Sequence, residues 1–306
     1  MFEIVFLGTS ASAPSVARNL SASMVLHRQY RFLVDCGEGT QRQLLKSGLG
    51  FKRLQRILLT HGHLDHILGL GGLISTFSRW ETVESLEIFG GKSALDRVQD
   101  LIYGVVLRGA TPPIKLEFVE LSPGVLLEDD DFVLTAFPVT HRGPGCFGFI
   151  FEERTKRPFL AEEAERLGVP AGQERKLLVQ GQAVTLADGT TIYPDQVLGA
   201  PRQGARLVYV GDAAQVDDLI PYLLEADAVV IEATYMEEEA ELAEEYGHLT
   251  VSQAASVARE ARVGTLYLNH ISRRYSAQEV TKEAEAIFPG SVVVRDFDRF
   301  EVRRRE

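Results

Sequence analysis

The sequence predicts an α/β fold of mixed sheets with helices outside them. The first half of the chain is a series of short apolar segments separated by turns, and the second half alternates such segments with helical patterns. With 45% hydrophobic and 25% charged residues over 306 positions, the chain has an ordinary globular composition. It is long enough to bury a full core, in one large domain or two small ones.

Taken in order, Phe2 to Leu7 reads as a strand that stops at Gly8, and Ser23–Leu26 and Arg31–Asp35 as two more. Gly39 to Lys46 has helical spacing. Arg56 to Leu59 is a short buried strand, and Asp65 to Phe77 carries apolar residues at helical spacing. Further strands are expected at Ser85–Phe89, Ile114–Leu121, Phe132–Val139 and Phe147–Phe151, then at Leu207–Val210, Ala228–Ile231, Thr265–Leu268 and Ser291–Val294. Helices are expected over Lys92–Tyr103, Val216–Leu224, Val251–Arg262 and Ala277–Phe288. Thr250 supplies a polar start for the third of these and Gly264 a stop. Residues 152–204 break the rhythm, being charged, punctuated by Pro and Gly, and poor in long apolar runs. They read as an arm projecting from the core, with a short helix over Leu160–Leu167 and a hairpin from Val184 to Ile192 turning on Asp188-Gly189.

No apolar run approaches about 18 residues, which argues against a membrane-spanning helix. The opening segment reads as a strand rather than a secretory signal. Cys36 and Cys146 lie far apart, as two small core residues would in a reducing, cytoplasmic setting. The net charge of −11 has the wrong global sign for a nucleic-acid binder, so any polyanion must be met by local cations.

The chemistry concentrates in Leu58 to Leu70, LLTHGHLDHILGL, which holds three of the seven histidines. His-x-His puts two imidazoles on one side of an extended segment, and Asp65 and His66 follow at a helix start. One turn can thus feed two adjacent metals. Other ligands follow apolar runs at strand ends: His141 after Phe132–Val139, Asp212 after Leu207–Val210, and His270 after Thr265–Leu268. A carboxylate has two oxygens, so Asp212 can bridge. The sets become His61, His63, His141, Asp212 and Asp65, His66, His270, Asp212. Imidazole with carboxylate suits Zn²⁺ with open positions, and Mn²⁺ remains an alternative.

His-x-His-x-Asp-His followed by strand-end His, Asp and His resembles the metallo-β-lactamase superfamily, which implies an αββα sandwich, here as a single domain over 1–306 with the arm at 152–204 inserted as a flexible exosite. Gly8-Thr9-Ser10, Pro14 with Arg18-Asn19, and Asp35-Cys36-Gly37-Glu38 with Thr40-Gln41 resemble the ribonuclease Z branch. Val16 stands where that family usually has Lys. The resemblance implies a zinc-dependent endoribonuclease that removes 3′ trailers from tRNA precursors. It would leave a 3′-hydroxyl on the tRNA and a 5′-phosphate on the trailer. Two Zn²⁺ per chain would serve it. Asp65, Glu232 and His248 would be catalytic, with Glu232 orienting His248 to protonate the departing oxygen. Arg18, Asn19 and Arg274 would meet the substrate, and Arg175 and Lys176 of the arm would grip the tRNA. A homodimer in which one subunit's arm serves the other is implied as well.

From Glu153 on, the arm's seven cations and seven acids cancel, inside an acidic protein. Acidic runs such as Glu237–Glu239 and 128–131 are expected to face solvent. The alternative is a small-substrate dinuclear metallohydrolase, a phosphodiesterase or thioesterase. His27 reads as a polar residue on a strand face and Trp80 as a core anchor.

Overall fold

The computed structural model describes residues 1–80, 83–112 and 114–305. Its strands are β1 Phe2–Gly8, β2 Ala22–His27, β3 Tyr30–Val34, β4 Arg56–Leu58, β5 Ser85–Gly90, β6 Lys115–Glu120, β7 Gly124–Glu128, β8 Phe132–Pro138, β9 Phe147–Glu153, β10 Val184–Thr185, β11 Thr191–Ile192, β12 Arg206–Gly211, β13 Ala228–Glu232, β14 Thr265–Asn269, β15 Ser291–Val293 and β16 Arg299–Val302. Residues 1–152 and 205–306 form one compact unit, and Glu153–Gly204 form a second.

The first unit holds two seven-stranded sheets, in the orders β16-β1-β2-β3-β4-β5-β6 and β15-β14-β13-β12-β9-β8-β7. Side-chain alternation along each strand builds three apolar layers. Phe2, Ile4 and Phe6 of β1 join Phe149, Phe151, Leu207 and Tyr209 in a core shared by the sheets. Val5 and Leu7, on the other face of β1, pack with Leu44, Leu70, Leu73 and Phe77 from the helices Thr40–Lys46 and Gly69–Trp80. On the far side, Val208 and Val210 of β12 meet Ala254, Ala255 and Ala258 of the helix Val251–Glu260 and Val280 and Ala284 of the helix Ala277–Ile287. The result is helix, sheet, sheet, helix. Both of those last helices start in a capping box. Thr250 Oγ1 accepts the Gln253 N–H at 3.1 Å, and the Gln253 side chain accepts the Thr250 N–H at 2.9 Å. Ser276 and Glu279 repeat it.

Several expectations are corrected. The helix read over Asp65–Phe77 is two segments, Leu64–Ile67 and Gly69–Trp80. Gly69 turns its N–H to the Cys36 carbonyl at 2.8 Å, and a Cβ there would lie 2.0 Å from the Gly37 oxygen. The helix Lys92–Gln99 continues as a π-helix, Asp100–Leu107. Strand β16 and the helix Ala240–Tyr246 lie where the sequence is too polar to read as regular structure, and β7 is a three-residue apolar run, Val125-Leu126-Leu127, too short to read as a strand beside an acidic run. The acidic runs are not simply solvated. Asp129 accepts from Tyr30, Asp131 pairs with Arg28, and Glu239 pairs with Arg274 and accepts from Tyr275. His27 is buried against Phe2 and Phe132, with ring centroids 4.7 and 4.9 Å away. The Trp80 side chain lies outside the described residues.

The second unit is richer in structure than an arm of little regularity. It has helices Ala161–Arg166 and Gln173–Val179 and the hairpin β10–β11. Ala164, Val169, Leu178, Val184, Ile192 and Val197 form its own buried cluster. Arg157 ties its ends, donating to the carbonyls of Gly199 (2.8 Å) and Leu198 (2.9 Å) and pairing with Asp195. The first helix and the hairpin fall where the sequence places them, but apolar runs as short as Leu177-Leu178-Val179 carry no periodic signal, which is why the shared core escapes a sequence reading.

Candidate active site

Strands β12, β13, β14 and β15 are mutually parallel, so their C-terminal ends share one rim. There β12 delivers Asp212, β13 ends on Glu232, and β14 is followed by His270. From the other sheet, β4 leads through Leu59 and Thr60 to His61, while β8, in the same sheet as β12, leads to His141. A register shift between Tyr209 and Gly211 redirects the chain just before Asp212. Gly211 has φ +79, and a Cβ there would come within 2.8 Å of Thr60. Only glycine fits that bend.

The predicted ligands come together in two groups, His61, His63, His141 with Asp212, and Asp65, His66 with His270. Two donors of one tetrahedral zinc, each about 2.0–2.1 Å from it, lie roughly 3.3 Å apart. His66 Nε2 and His270 Nε2 are 3.3 Å apart, His270 Nε2 and Asp65 Oδ2 3.3 Å, and His141 Nε2 and His63 Nδ1 3.4 Å. Asp212 Oδ2 sits between the groups, 3.7 Å from His61, 4.0 Å from His141, 3.4 Å from His66 and 3.5 Å from His270. One carboxylate oxygen therefore reaches both sets, and the donor chemistry fits a pair of metal ions.

The electrostatics agree. Burial first, then the neighbouring imidazoles, keep His61 well below the ordinary histidine value and lower His63 to about 4, so both offer lone pairs. For Asp65 and Asp212 burial works against ionisation, but the facing imidazoles hold both carboxyls well below the usual range. Burial also disfavours charge on His66, yet Asp212, Asp35 and Asp65 together raise it well above the ordinary value. Several buried carboxylates thus converge where positive charge is required.

Two further buried carboxylates lie beneath the ligands. Asp35 Oδ2 accepts from His66 Nδ1 at 2.8 Å and from Thr60 Oγ1 at 2.8 Å, and Thr60 Oγ1 accepts from His61 Nδ1 at 3.0 Å. Glu232 accepts from His248 Nδ1 at 2.9 Å and from Thr234 Oγ1, which accepts from His270 Nδ1 at 3.0 Å. His141 Nδ1 donates to the Gly247 carbonyl at 2.7 Å. With Nδ1 engaged, Nε2 of His61, His66, His141 and His270 is left for metal. Asp35, Thr60 and Thr234 are absent from the sequence-based site. Asp35 ends an apolar run as the ligands do and opens the Asp35-Cys36-Gly37-Glu38 motif, but neither signal says that it orients a ligand. Asp35 (φ +58) and His270 (φ +55) both adopt a left-handed backbone uncommon outside glycine.

His248 stands beside the ligands, 3.9 Å from Asp212. Burial opposes its charge, but Glu232 outweighs that and raises it to about 9. With His63 and Asp65 it is one of the partly exposed members of the cluster, so these three mark the open side.

The predicted substrate contacts are less free. Arg18 Nη1 donates to Thr9 Oγ1 (2.7 Å) and the Val294 carbonyl (2.6 Å), and Asn19 Nδ2 donates to the Glu38 carbonyl (2.8 Å). Arg274 is exposed but paired with Glu239 at 2.7 Å. Arg175 donates to the Val169 carbonyl at 3.1 Å and lies over the Phe159 ring, whereas Lys176 is exposed.

Known proteins match this chain along its length. The family model for a beta-lactamase superfamily domain matches residues 196–271, and that of the anti-Pycsar protein Apyc1 matches residues 2–120. Ribonuclease Z of Bradyrhizobium diazoefficiens is 46% identical over 99% of this chain and 100% of its own. The crystal structure of human tRNase Z, short form, superposes with a TM-score of 0.69 at 26% identity, covering 98% of this chain and 99% of that one. The metallo-beta-lactamase fold protein YhfI from Bacillus subtilis has a TM-score of 0.70 at 19% identity, covering 98% and 100%, and establishes the shared fold alone.

Proposed function

We propose that this chain, which belongs to the ribonuclease Z family, removes 3′ trailers from tRNA precursors. The cut falls just 3′ of the discriminator base or of an encoded CCA. It leaves a 3′-hydroxyl on the tRNA and a 5′-phosphate on the trailer. The observation that carries the reading is the buried Glu232 holding His248 at 2.9 Å beside a two-metal donor set, in a chain matched end to end by ribonuclease Z.

His61, His63, His141 and Asp212 would hold one Zn²⁺, and Asp65, His66, His270 and Asp212 the other, Mn²⁺ being the alternative. Such a pair supplies a water of lowered pKa and positive charge against the phosphoryl oxygens. The chain's residues do the rest. The ionised Asp65, on the open side, accepts a proton from the attacking water, and the Ser12 N–H fixes its Oδ2 at 2.9 Å. Glu232 keeps His248 protonated with its Nε2–H aimed outward, so the 3′-oxygen departs as a hydroxyl. Arg274 exchanges Glu239 for a phosphate. Lys176 and Arg175 of the inserted unit contact the tRNA body, in a homodimer where one subunit's arm serves the other's substrate. The enzyme works in the cytoplasm.

The test is a zinc-loaded incubation with an end-labelled tRNA precursor, mapping the cut to the nucleotide. A single cut at the acceptor-stem end, lost in His248→Ala with metal content intact, is expected. No cut, with bis(p-nitrophenyl) phosphate still hydrolysed, would return the chain to the small-substrate hydrolases.

A further inference from the structure

We propose that a recess beside the metal rim binds one unpaired nucleotide of the 3′ trailer, Phe297 stacking on its base and Arg42 and Lys46 taking its phosphate. The proposal rests on the tRNA-precursor reading above and names where the far side of the cut is held.

The recess has a volume of about 300 Å³, formed by the loop Ser15–Asn19, the helix Thr40–Lys46 and the turn at Asp296-Phe297. It opens on the same edge of the sheets as the metal donors. β1 is antiparallel to β2, β2 to β3, and β3 is parallel to β4, so the chain leaves β1 and β3 on the edge where β4 delivers His61. The turn at Phe297 follows β15, which runs parallel to the β14 that delivers His270. The Ser12 N–H that binds Asp65 lies three residues before Ser15, so roughly 11 Å of chain at most separates a metal donor from the recess.

Phe297 is the unusual residue. It is 40% exposed at φ +73, a backbone region that a bulky side chain occupies only at a cost in free energy. Its N–H bonds the Phe6 carbonyl at 2.6 Å and the Phe6 N–H bonds the Asp298 carbonyl at 3.0 Å, so the body of the protein enforces that conformation. Strain that presents a ring to solvent, rather than burying it, calls for a ligand with a flat face. Lys46 Nζ lies 6.0 Å from the ring centroid. Arg42, one helical turn before Lys46, is on the same face. Both cations are exposed, and among the described residues neither pairs with a carboxylate. The one acid lining the recess, Asp296, turns its oxygens inward to Thr9 Oγ1, the Asn19 N–H and Gln43 Nε2, each at 2.8 Å. Arg18, whose Nη1 binds Thr9 and the Val294 carbonyl, staples the two loops together.

Aromatic ring, paired cations and open space are the parts of a single-strand site. Bases of the acceptor stem are paired and stacked on one another, so an unpaired base is what the ring can receive. The trailer supplies such bases directly beyond the scissile phosphate. The exposed Val16 lines the same recess and adds apolar surface for a base edge.

The experiment compares KM and kcat for two precursors, one with a single-nucleotide trailer and one with a trailer of several nucleotides. For the wild-type enzyme the longer trailer lowers KM. Phe297→Ala removes about tenfold of that advantage with little change in kcat, and Phe297→Tyr retains it. The exposed pair Arg42→Gln and Lys46→Gln, which folding tolerates, flattens the salt dependence of KM for the longer trailer. If the wild-type enzyme cuts at the acceptor-stem end but all these variants keep the full advantage, the recess is not a trailer site and the tRNA reading stands. If no precursor is cut, both fall together.

Discussion

Each sheet brings one buried carboxylate beneath the rim, and the two are used differently. Asp35, following β3 of the first sheet, serves two metal donors, His66 directly and His61 through Thr60. Glu232, ending β13 of the second, serves one candidate donor, His270 through Thr234, and one imidazole outside the two predicted donor sets, His248. The hydrogen-bond motif is the same, carboxylate to hydroxyl to imidazole and carboxylate to imidazole. What differs is what the second imidazole faces. Beneath Asp35 both rings are buried and point into the donor cluster, whereas beneath Glu232 one ring reaches the open side. One carboxylate therefore supports only imidazoles of the candidate donor cluster, and the other is divided between that cluster and an imidazole on the open side.

Substitutions can break that division, in order of expected size. His248→Ala lowers kcat for precursor cleavage by about 10²–10⁴-fold with metal content unchanged, read by single-turnover kinetics alongside elemental analysis. Loss of metal in that variant would show that His248 belongs with the donors. Asp35→Ala does the reverse, weakening metal affinity about 10–100-fold in a chelator competition, with activity restored at saturating metal. A variant that binds metal normally but stays inactive would erase the contrast between the two carboxylates. Glu232→Gln sharpens it through pH. Glu232 raises His248, so its neutralisation lowers the histidine's pKa. The acid form is then lost at lower pH, and the alkaline limb of the kcat profile moves down. An unmoved limb would assign that limb to another group. The smallest effects come from the hydroxyls. Thr60→Val costs a few-fold in metal affinity with kcat kept at saturation, and Thr234→Val a few-fold in kcat as well, on the order of one lost hydrogen bond each.

The inserted unit Glu153–Gly204 gives a second contrast. Its folded core rests on a handful of apolar side chains, and its cations Arg157, Arg166 and Arg175 are engaged within it. Deleting Gln173–Gly181 removes Leu178 from that cluster. It should raise KM for precursor at least about tenfold while bis(p-nitrophenyl) phosphate is still hydrolysed. Unchanged precursor cleavage would remove the arm from substrate binding.

The site was legible wherever chemistry and chain order coincide. His61, His63, Asp65 and His66 are adjacent in sequence, and His141, Asp212 and His270 each follow an apolar run long enough to be a strand, so their convergence at strand ends could be read without coordinates. Asp35 follows such a run too, but nothing local distinguishes a carboxylate that orients a ligand from one that merely ends a strand. Its role comes from His66, 31 residues away, arriving at 2.8 Å. Thr60 and Thr234 carry no sequence signal because a threonine's partner is fixed only by what folds against it.

By itself, then, the sequence determined the layered α/β fold and pointed to the side chains that cluster at the rim as candidate metal donors, because side-chain periodicity and ligand type are properties of neighbours along the chain. Tertiary structure alone decided which carboxylate holds which imidazole. It also decided that Arg18 and Asn19 brace loops, that an acidic run supplies the partner of Arg274, and that the Phe297 ring stands exposed over a recess. Each of these depends on the direction of a side chain after segments far apart in sequence have packed, and a linear pattern does not encode that direction.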